Sequence, residues 1–280
     1  MEFSDTDTHI DRLSEFLEEH YSETLQNIAN RECKDITISL ELLFESRICV
    51  PQEWLGETIV FANASQLLAD AIPANTRKFQ KLFANLCYKI LPKPTKTFRL
   101  DVIDQFLDEC GVSNLPPELV HRFDVFFQPL IDMKARKISD IKSKCIGRLV
   151  VTQGVINHIA EPEFVCKVAA YYCSLCSTNI FQPVASLSYN PIIKCPSTAC
   201  RLNKSRGSIY QTNKGSKFRK LIRLKVQEDS DGGQRLPAQL TVWCWNLPSV
   251  RPGDRVQITG VTLPIIRNNI TTIYVDAHRY

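Results

Sequence analysis

The 280 residues carry 44% hydrophobic and 23% charged side chains, the ordinary mix of a globular chain long enough for two domains with ample core. No apolar run approaches the roughly eighteen residues of a membrane-spanning helix, and the acidic start MEFSDTDTHIDRLSEF lacks the basic and apolar regions of a secretory signal, so an intracellular chain without membrane contact is expected. The formal charge of +4 hides a division: residues 1–140 hold 15 Lys+Arg against 23 Asp+Glu, a balance of −8, while residues 141–280 hold 19 against 7, a balance of +12 that makes the second half the candidate polyanion binder.

The first half reads as helical. From Asp11 to Ile28, Leu13, Phe16, Leu17, Tyr21, Leu25 and Ile28 recur at three- and four-residue steps and form one apolar face. A short strand is possible at Ile36 to Leu40. Asn63 or Ser65 could cap a helix that runs to Ile72 and stops at Pro73. Arg77 to Leu91 places Phe79, Leu82, Phe83, Leu86, Cys87 and Ile90 on one stripe before Pro92 and Pro94. Leu100 to Cys110 reads as a further helix with Gly111 as its C-terminal cap. Residues 1–137 are therefore expected to form a helical bundle.

The charged stretch from Lys134 to Ser143 marks the expected boundary, and from Cys145 the period changes to that of strands. Ile146 to Ile156 (IGRLVVTQGVI) is β-branched, with Gly147 and Gly154 placed like bulges or sharp bends. Phe164–Tyr172, Ser208–Thr212, Phe218–Gln227, Gln239–Trp245, Arg255–Thr262 and Ile270–Val275 follow as short strands. Such strands, without a long helix between them, predict a small barrel of the OB type over 138–280. The fold class expected is α+β: a helical bundle, then an OB barrel with a metal-binding excursion at about 170–205.

That excursion holds the sharpest signal. Of eleven cysteines, Cys33, Cys49, Cys87, Cys110, Cys145, Cys166 and Cys244 stand singly and read as buried reduced thiols. Cys173, Cys176, Cys195 and Cys200 form C-x2-C, eighteen residues, then C-x4-C, the spacing of two thiolate knuckles around one tetrahedral Zn²⁺. Four thiolates leave no open position, so the ion is structural. Tyr171 and Phe181 could pack over it, and His158 or Cys166 lie close enough in sequence to substitute for a ligand.

The second signal is basic. Lys214, Lys217, Arg219, Lys220, Arg223 and Lys225 crowd one strand, with Lys217, Arg219, Leu221, Arg223 and Lys225 on one face and Phe218, Lys220, Ile222 and Leu224 on the other. A cationic face backed by an apolar one fits a groove tracking phosphates without reading bases. Few aromatics look exposed beside it, which counts against binding driven by stacking. Arg267, beside Asn268 and Asn269 at a hairpin turn, could touch the same strand of nucleic acid. The acidic, Gly-rich loop Gln227–Pro237 is long enough to contact a neighbour. No phosphate-binding loop, nucleophile elbow or metalloprotease helix occurs, so the chain itself is not expected to be an enzyme.

The run IGRLVVTQGVI, the knuckles YCSLC and CPSTAC, then GSIYQTNKGSKFRKLIRLKVQE and PGDRVQITGVTLP resemble the N-terminal region of the minichromosome maintenance (MCM) proteins, the subunits of the replicative DNA helicase of eukaryotes. LPPELVHRFDVFFQP, the C-x4-C spacing and the ending IYVDAHRY add resemblance to one paralogue in particular. The resemblance implies a helical subdomain, a zinc subdomain held by Cys173, Cys176, Cys195 and Cys200, and an OB fold, together one tier of a six-membered ring around DNA. It also implies other MCM subunits as partners, head-to-head zinc contacts in a double hexamer, and a nuclear location. ATP and Mg²⁺ would act only through a motor that follows this region. The hairpin at Arg267 would project into the channel, although family hairpins are longer and more basic. Lys217, Arg219, Arg223 and Lys225 are then the expected grip on single- or double-stranded DNA. The competing expectation is a zinc-stabilised protein-interaction scaffold for which DNA contact is incidental.

Overall fold

The computed structural model describes residues 5–50, 67–96, 101–110, 115–184, 187, 189–202, 209–229, 237–245, 250–267 and 270–279. In chain order they form α1 (Asp5–Ala29), β1 (Asp35–Ser39), α2 (Leu40–Glu45), α3 (Leu68–Ala71), α4 (Thr76–Lys89), α5 (Val102–Cys110), α6 (Pro117–Val120), β2 (Asp124–Gln128) and β3 (Leu149–Ile159). There follow β4 (Glu163–Cys173), β5 (Asn179–Pro183), α7 (Thr198–Leu202), β6 (Ile209–Gln227), β7 (Gln239–Cys244), β8 (Arg255–Arg267) and β9 (Ile270–Arg279). The fold is α+β. Two compact units divide it: Met1–Thr95 with Phe123–Pro162 and Ile222–Tyr280, and Lys96–Arg122 with Glu163–Leu221. Residues 137 and 138 both fall inside the first unit. The proposed caps Asn63, Ser65 and Gly111 lie outside the described residues.

In the first unit the apolar stripes of α1 and α4 become core. Leu13, Leu17, Leu25, Phe83 and Leu86 are buried, each worth roughly 1.5–3 kcal/mol against exposure. The backbone of α1 leaves helical geometry at Tyr21 (φ −126°, ψ 16°), whose hydroxyl accepts the Ser39 amide at 2.8 Å. The α-helix before Pro73 ends at Ala71 with Ile72 as its C-cap, as expected to within a residue, and a 3-10 turn, Ile72–Ala74, follows it. The bundle also contains a parallel pair, β1 with β2, in register from Asp35 opposite Asp124 to Ser39 opposite Gln128. β2 goes beyond the helices and single short strand expected of this half, since DVFFQ is too short to show a period, and it buries Phe127 edge-on against Phe83 at 5.4 Å.

The strands of this unit run β3–β8–β9–β7–β6, and β6 returns to β3 through Ile156 opposite Val226 and Ile159 opposite Leu224. That last pairing closes a five-stranded barrel, the architecture expected of an OB fold. Ile156, Ile222, Leu224, Val226, Val242, Ile258 and Val275 fill it. Gly147 turns with φ +80° before β3. Gly154 serves a different end: a Cβ there would sit 2.6 Å from the Gln227 carbonyl, so the glycine lets β3 and β6 approach where the barrel closes.

The bundle clasps β9 through polar side chains. Arg77 pairs with the buried Asp276 carboxylate, which also accepts the Trp245 indole N–H at 2.6 Å. The Gln80 amide nitrogen donates to the Val125 carbonyl at 2.8 Å and lies 2.9 Å from Nε2 of His278. The Phe127 amide faces the ring's other nitrogen at 3.4 Å. Burial, aided by the Arg77 charge and opposed by Asp276, pushes His278 down to about 4.

The second unit pairs β5–β4–β6 antiparallel. β5, within NIFQP, had no alternation to reveal it. Asp101 opens α5 by accepting the Asp104 amide at 2.9 Å while Asp104 accepts the Asp101 amide at 3.1 Å. The expected strands Ser208–Thr212 and Phe218–Gln227 are one strand, β6. The polar stretch between them reads as a turn, yet it stays extended as a wide bulge. Register jumps from Val168 opposite Lys217 to Ala170 opposite Thr212. The Ser216 hydroxyl ties the bulge, donating to the Thr212 carbonyl at 2.6 Å and accepting the Ala170 amide at 3.0 Å.

Candidate metal centre and nucleic-acid face

Three segments of the second unit bring the four cysteines together. β4 ends at Cys173, whose amide donates to the Thr178 carbonyl at 3.1 Å as the chain turns back into β5. That tight turn carries Cys176. Cys195 precedes Pro196, and Cys200 lies on α7. All four sulfurs lie within 4.8 Å of one another, with Cys173 to Cys200 at 3.8 Å and Cys176 to Cys195 at 3.6 Å. A tetrahedron with metal–sulfur bonds of about 2.3 Å has edges of about 3.8 Å, so both pairs match its edges. Neither is near the roughly 2.05 Å of a disulfide. The donor set fits a closed, structural ion.

Electrostatics point the same way. Burial, then hydrogen bonding with the Cys176 and Cys173 side chains, pushes Cys200 up to about 12, and burial also raises Cys195. Hydrogen bonding from Thr178 pulls Cys176 down to about 6. Four thiolates so close need a cation to coexist. Ile180 and Ile209 cover the sulfurs. Tyr171 and Phe181, expected there, do other work: Tyr171 donates from its hydroxyl to Gln182 at 2.9 Å, and Phe181 meets Phe106 edge-on. His158 and Cys166 stay out of the cluster. Of the single cysteines, Cys87, Cys145 and Cys244 are buried thiols as expected, Cys49 and Cys166 are half-buried and Cys33 is exposed.

The basic strand is divided between two environments. In the barrel, Ile222, Leu224 and Val226 point inward and Lys225 lies exposed beyond Arg223 on the outer face, as the alternation predicts. In the second unit the assignment reverses. Leu221 is buried while Phe218 and Lys220 face solvent. The reversal follows from which side each ladder turns to its own core. Lys217 is not a free cation: its ammonium donates to the Glu118 and His121 carbonyls at 2.7 and 2.6 Å and so caps the end of α6. Arg219 stands half-buried opposite Val165. The backbone of Arg267 ends β8 opposite Ile270, and the turn at Asn268 and Asn269 lies outside the described residues, as does most of the Gln227–Pro237 loop.

A model of the MCM OB domain matches residues 137–266, the barrel and the second unit's strands together. The chain belongs to the MCM family. It is 32% identical over 288 residues to the DNA replication licensing factor mcm7 of Xenopus tropicalis, covering 92% of this chain and 38% of that protein. The mcm7 of Schizosaccharomyces pombe is 28% identical over 265 residues, covering 89% and 33%. The seventh subunit is the paralogue toward which CPSTAC and IYVDAHRY point. This MCM chain thus spans little more than a third of those relatives. The crystal structure of the N-terminal domain of an archaeal MCM superposes with a TM-score of 0.68 at 19% identity, over 98% of this chain and 97% of that one, and shares its fold.

Proposed function

We propose that this chain is the N-terminal, DNA-binding and ring-assembly region of an MCM7-like subunit of the hexameric replicative helicase. Its work is in origin licensing, initiation and fork unwinding in the nucleus, with ATP-driven unwinding residing in a motor beyond this region. The four thiols hold a structural Zn²⁺, and other MCM subunits complete a hetero-hexameric ring. The observation that carries this reading is a closed OB barrel of the family with Arg223 and Lys225 on its outer face. Arg219 and Arg267 are the further expected phosphate contacts. DNA is held by its backbone, without base reading.

Titrating single-stranded DNA at several salt concentrations tests it. Four phosphate contacts should give a log–log slope of roughly −3, at about −0.7 each. Arg223→Ala with Lys225→Ala should cut the slope by roughly 1.4, whereas Lys217→Ala should leave it unchanged, because that ammonium serves α6. A salt-independent affinity, or no binding by the assembled ring, would discard the proposal.

A specific observation favours a scaffold role for the zinc module alongside DNA contact. Leu175, Ile193 and Leu202, each within two residues of a cysteine ligand, are 60%, 82% and 82% exposed. Apolar side chains so placed suit the expected contact between zinc modules of two rings.

A further inference from the structure

On the β4–β6 ladder of the second unit, Phe164 stands directly opposite Lys220 and Cys166 directly opposite Phe218. Directly opposed residues share a face, and residues two apart return to it, so these four side chains form one patch. Phe164 is 75% exposed and Phe218 46%; Lys220 is exposed between them. Phe164 and Phe218 are diagonal neighbours, about 7–8 Å apart along the ladder. Leaving rings of that size in water forgoes much of the stabilisation that their burial would return. Further along the ladder, Tyr172 and Tyr210 form a second directly opposed pair, and both are exposed. Exposed aromatics thus do stand beside the basic strand, contrary to expectation, because Phe218 takes the outward face and Phe164 joins it through the β4–β6 pairing.

We propose that this face is a stacking platform for single-stranded nucleic acid, on which bases rest against Phe164 and Phe218 while Lys220 holds the intervening phosphate. The proposal rests on the DNA-binding reading above and adds to it the strandedness of the ligand and a site outside the barrel. Charge selects the occupant. Residues 163–221 hold nine Lys and Arg against one carboxylate, Glu163, a balance of +8. Four thiolates around a divalent ion return only two negative charges to that segment. The core of a protein interface is depleted of lysine, whereas a lysine between exposed rings suits a phosphate between bases. Duplex DNA keeps its bases paired and stacked, so rings on a sheet face have nothing to stack against in it.

The test uses the whole chain with its zinc bound, an oligothymidylate, and a duplex of equal length. Phe164→Ala and Phe218→Ala should each weaken oligothymidylate binding roughly tenfold, leave the salt slope unaltered, and leave duplex binding unaltered. Lys220→Ala should instead lower the slope by about 0.7. Phe218→Leu, which keeps apolar bulk and loses the ring, should behave as Phe218→Ala does. Irradiation of a 5-iodouracil oligonucleotide should cross-link to Phe164 or Phe218. Unchanged melting and zinc content in each variant exclude a folding effect. If the unaltered chain binds with the expected salt slope but the double phenylalanine variant matches it, the platform fails and the DNA reading stands. Equal losses on single strand and duplex also overturn it. So does loss of self-association with DNA affinity intact, which would make the face a contact between copies. If the unaltered chain binds neither nucleic acid, both readings fall.

Discussion

Cys173→Ser is expected to release the metal and unravel the second unit while the first stays folded. Among the described residues, the buried apolar cluster beside the cysteines is small, comprising Ala169, Tyr171 and Val184. Three segments meet at the sulfurs, tied elsewhere only by contacts such as Gln182 to the Asn190 carbonyl and Gln211 to the Tyr189 hydroxyl among the described residues, so an ion held there would be the strongest link between them. Structural zinc sites contribute about 10–16 kcal/mol of apparent binding free energy, far more than such a core supplies. Trp243 and Trp245 belong to the first unit, so their emission should stay at the parent's value. Amides of β4, β5 and the first part of β6 should exchange freely. Chelation of the unaltered chain should reproduce the variant. A zinc-free chain with β4 and β5 still protected would show that packing alone holds the unit.

Acid is expected to weaken the first unit through His278. In the folded chain the ring takes a proton only near pH 4, while an unfolded histidine does so near 6.5. Between those values the unfolded chain binds more protons, so stability is full above about 6.5 and falls as pH drops toward 4. A depression of that size corresponds to up to about 3 kcal/mol. The cause is burial against α4 and β2, with Arg77 near and Asp276 partly compensating. Denaturant midpoints followed by tryptophan emission at pH 7, 6 and 5 check it, with His278→Gln as the comparison. If that variant loses stability over the same window by the same amount, other groups carry the acid response.

How far the sequence could be read depended on the length over which a period runs. The long stripes of α1 and α4 and the barrel strands were legible because many residues repeat one pattern. β2 and β5 were not, since five residues hold too few repeats to separate strand from helix or loop. Cysteine spacing picked out the four sulfurs that the fold gathers, because a tetrahedral site needs little beyond two tight turns. It could not give the lid, which Ile180 and Ile209 provide through strand pairing. The basic strand was legible as a strand, but not its facing. A bulge at Asn213–Ser216 and a change of core at Leu221 both alter which side meets water. Lys217 looked like a phosphate ligand because one dimension hides the helix end that occupies it.

The division of the chain has a consequence for its synthesis. The second unit is built from Lys96–Arg122 and Glu163–Leu221, whereas the first needs β8 and β9, which end at Arg279. A ribosome therefore delivers every part of the cysteine-bearing unit before the barrel receives its last three strands, β7, β8 and β9. The inserted unit can load its ion and settle while its host is still an open sheet. β8 pairs with β3 across about a hundred residues, further than the roughly seventy between β3 and β6, so the arrival of β8 and β9 is the non-local step that completes the barrel.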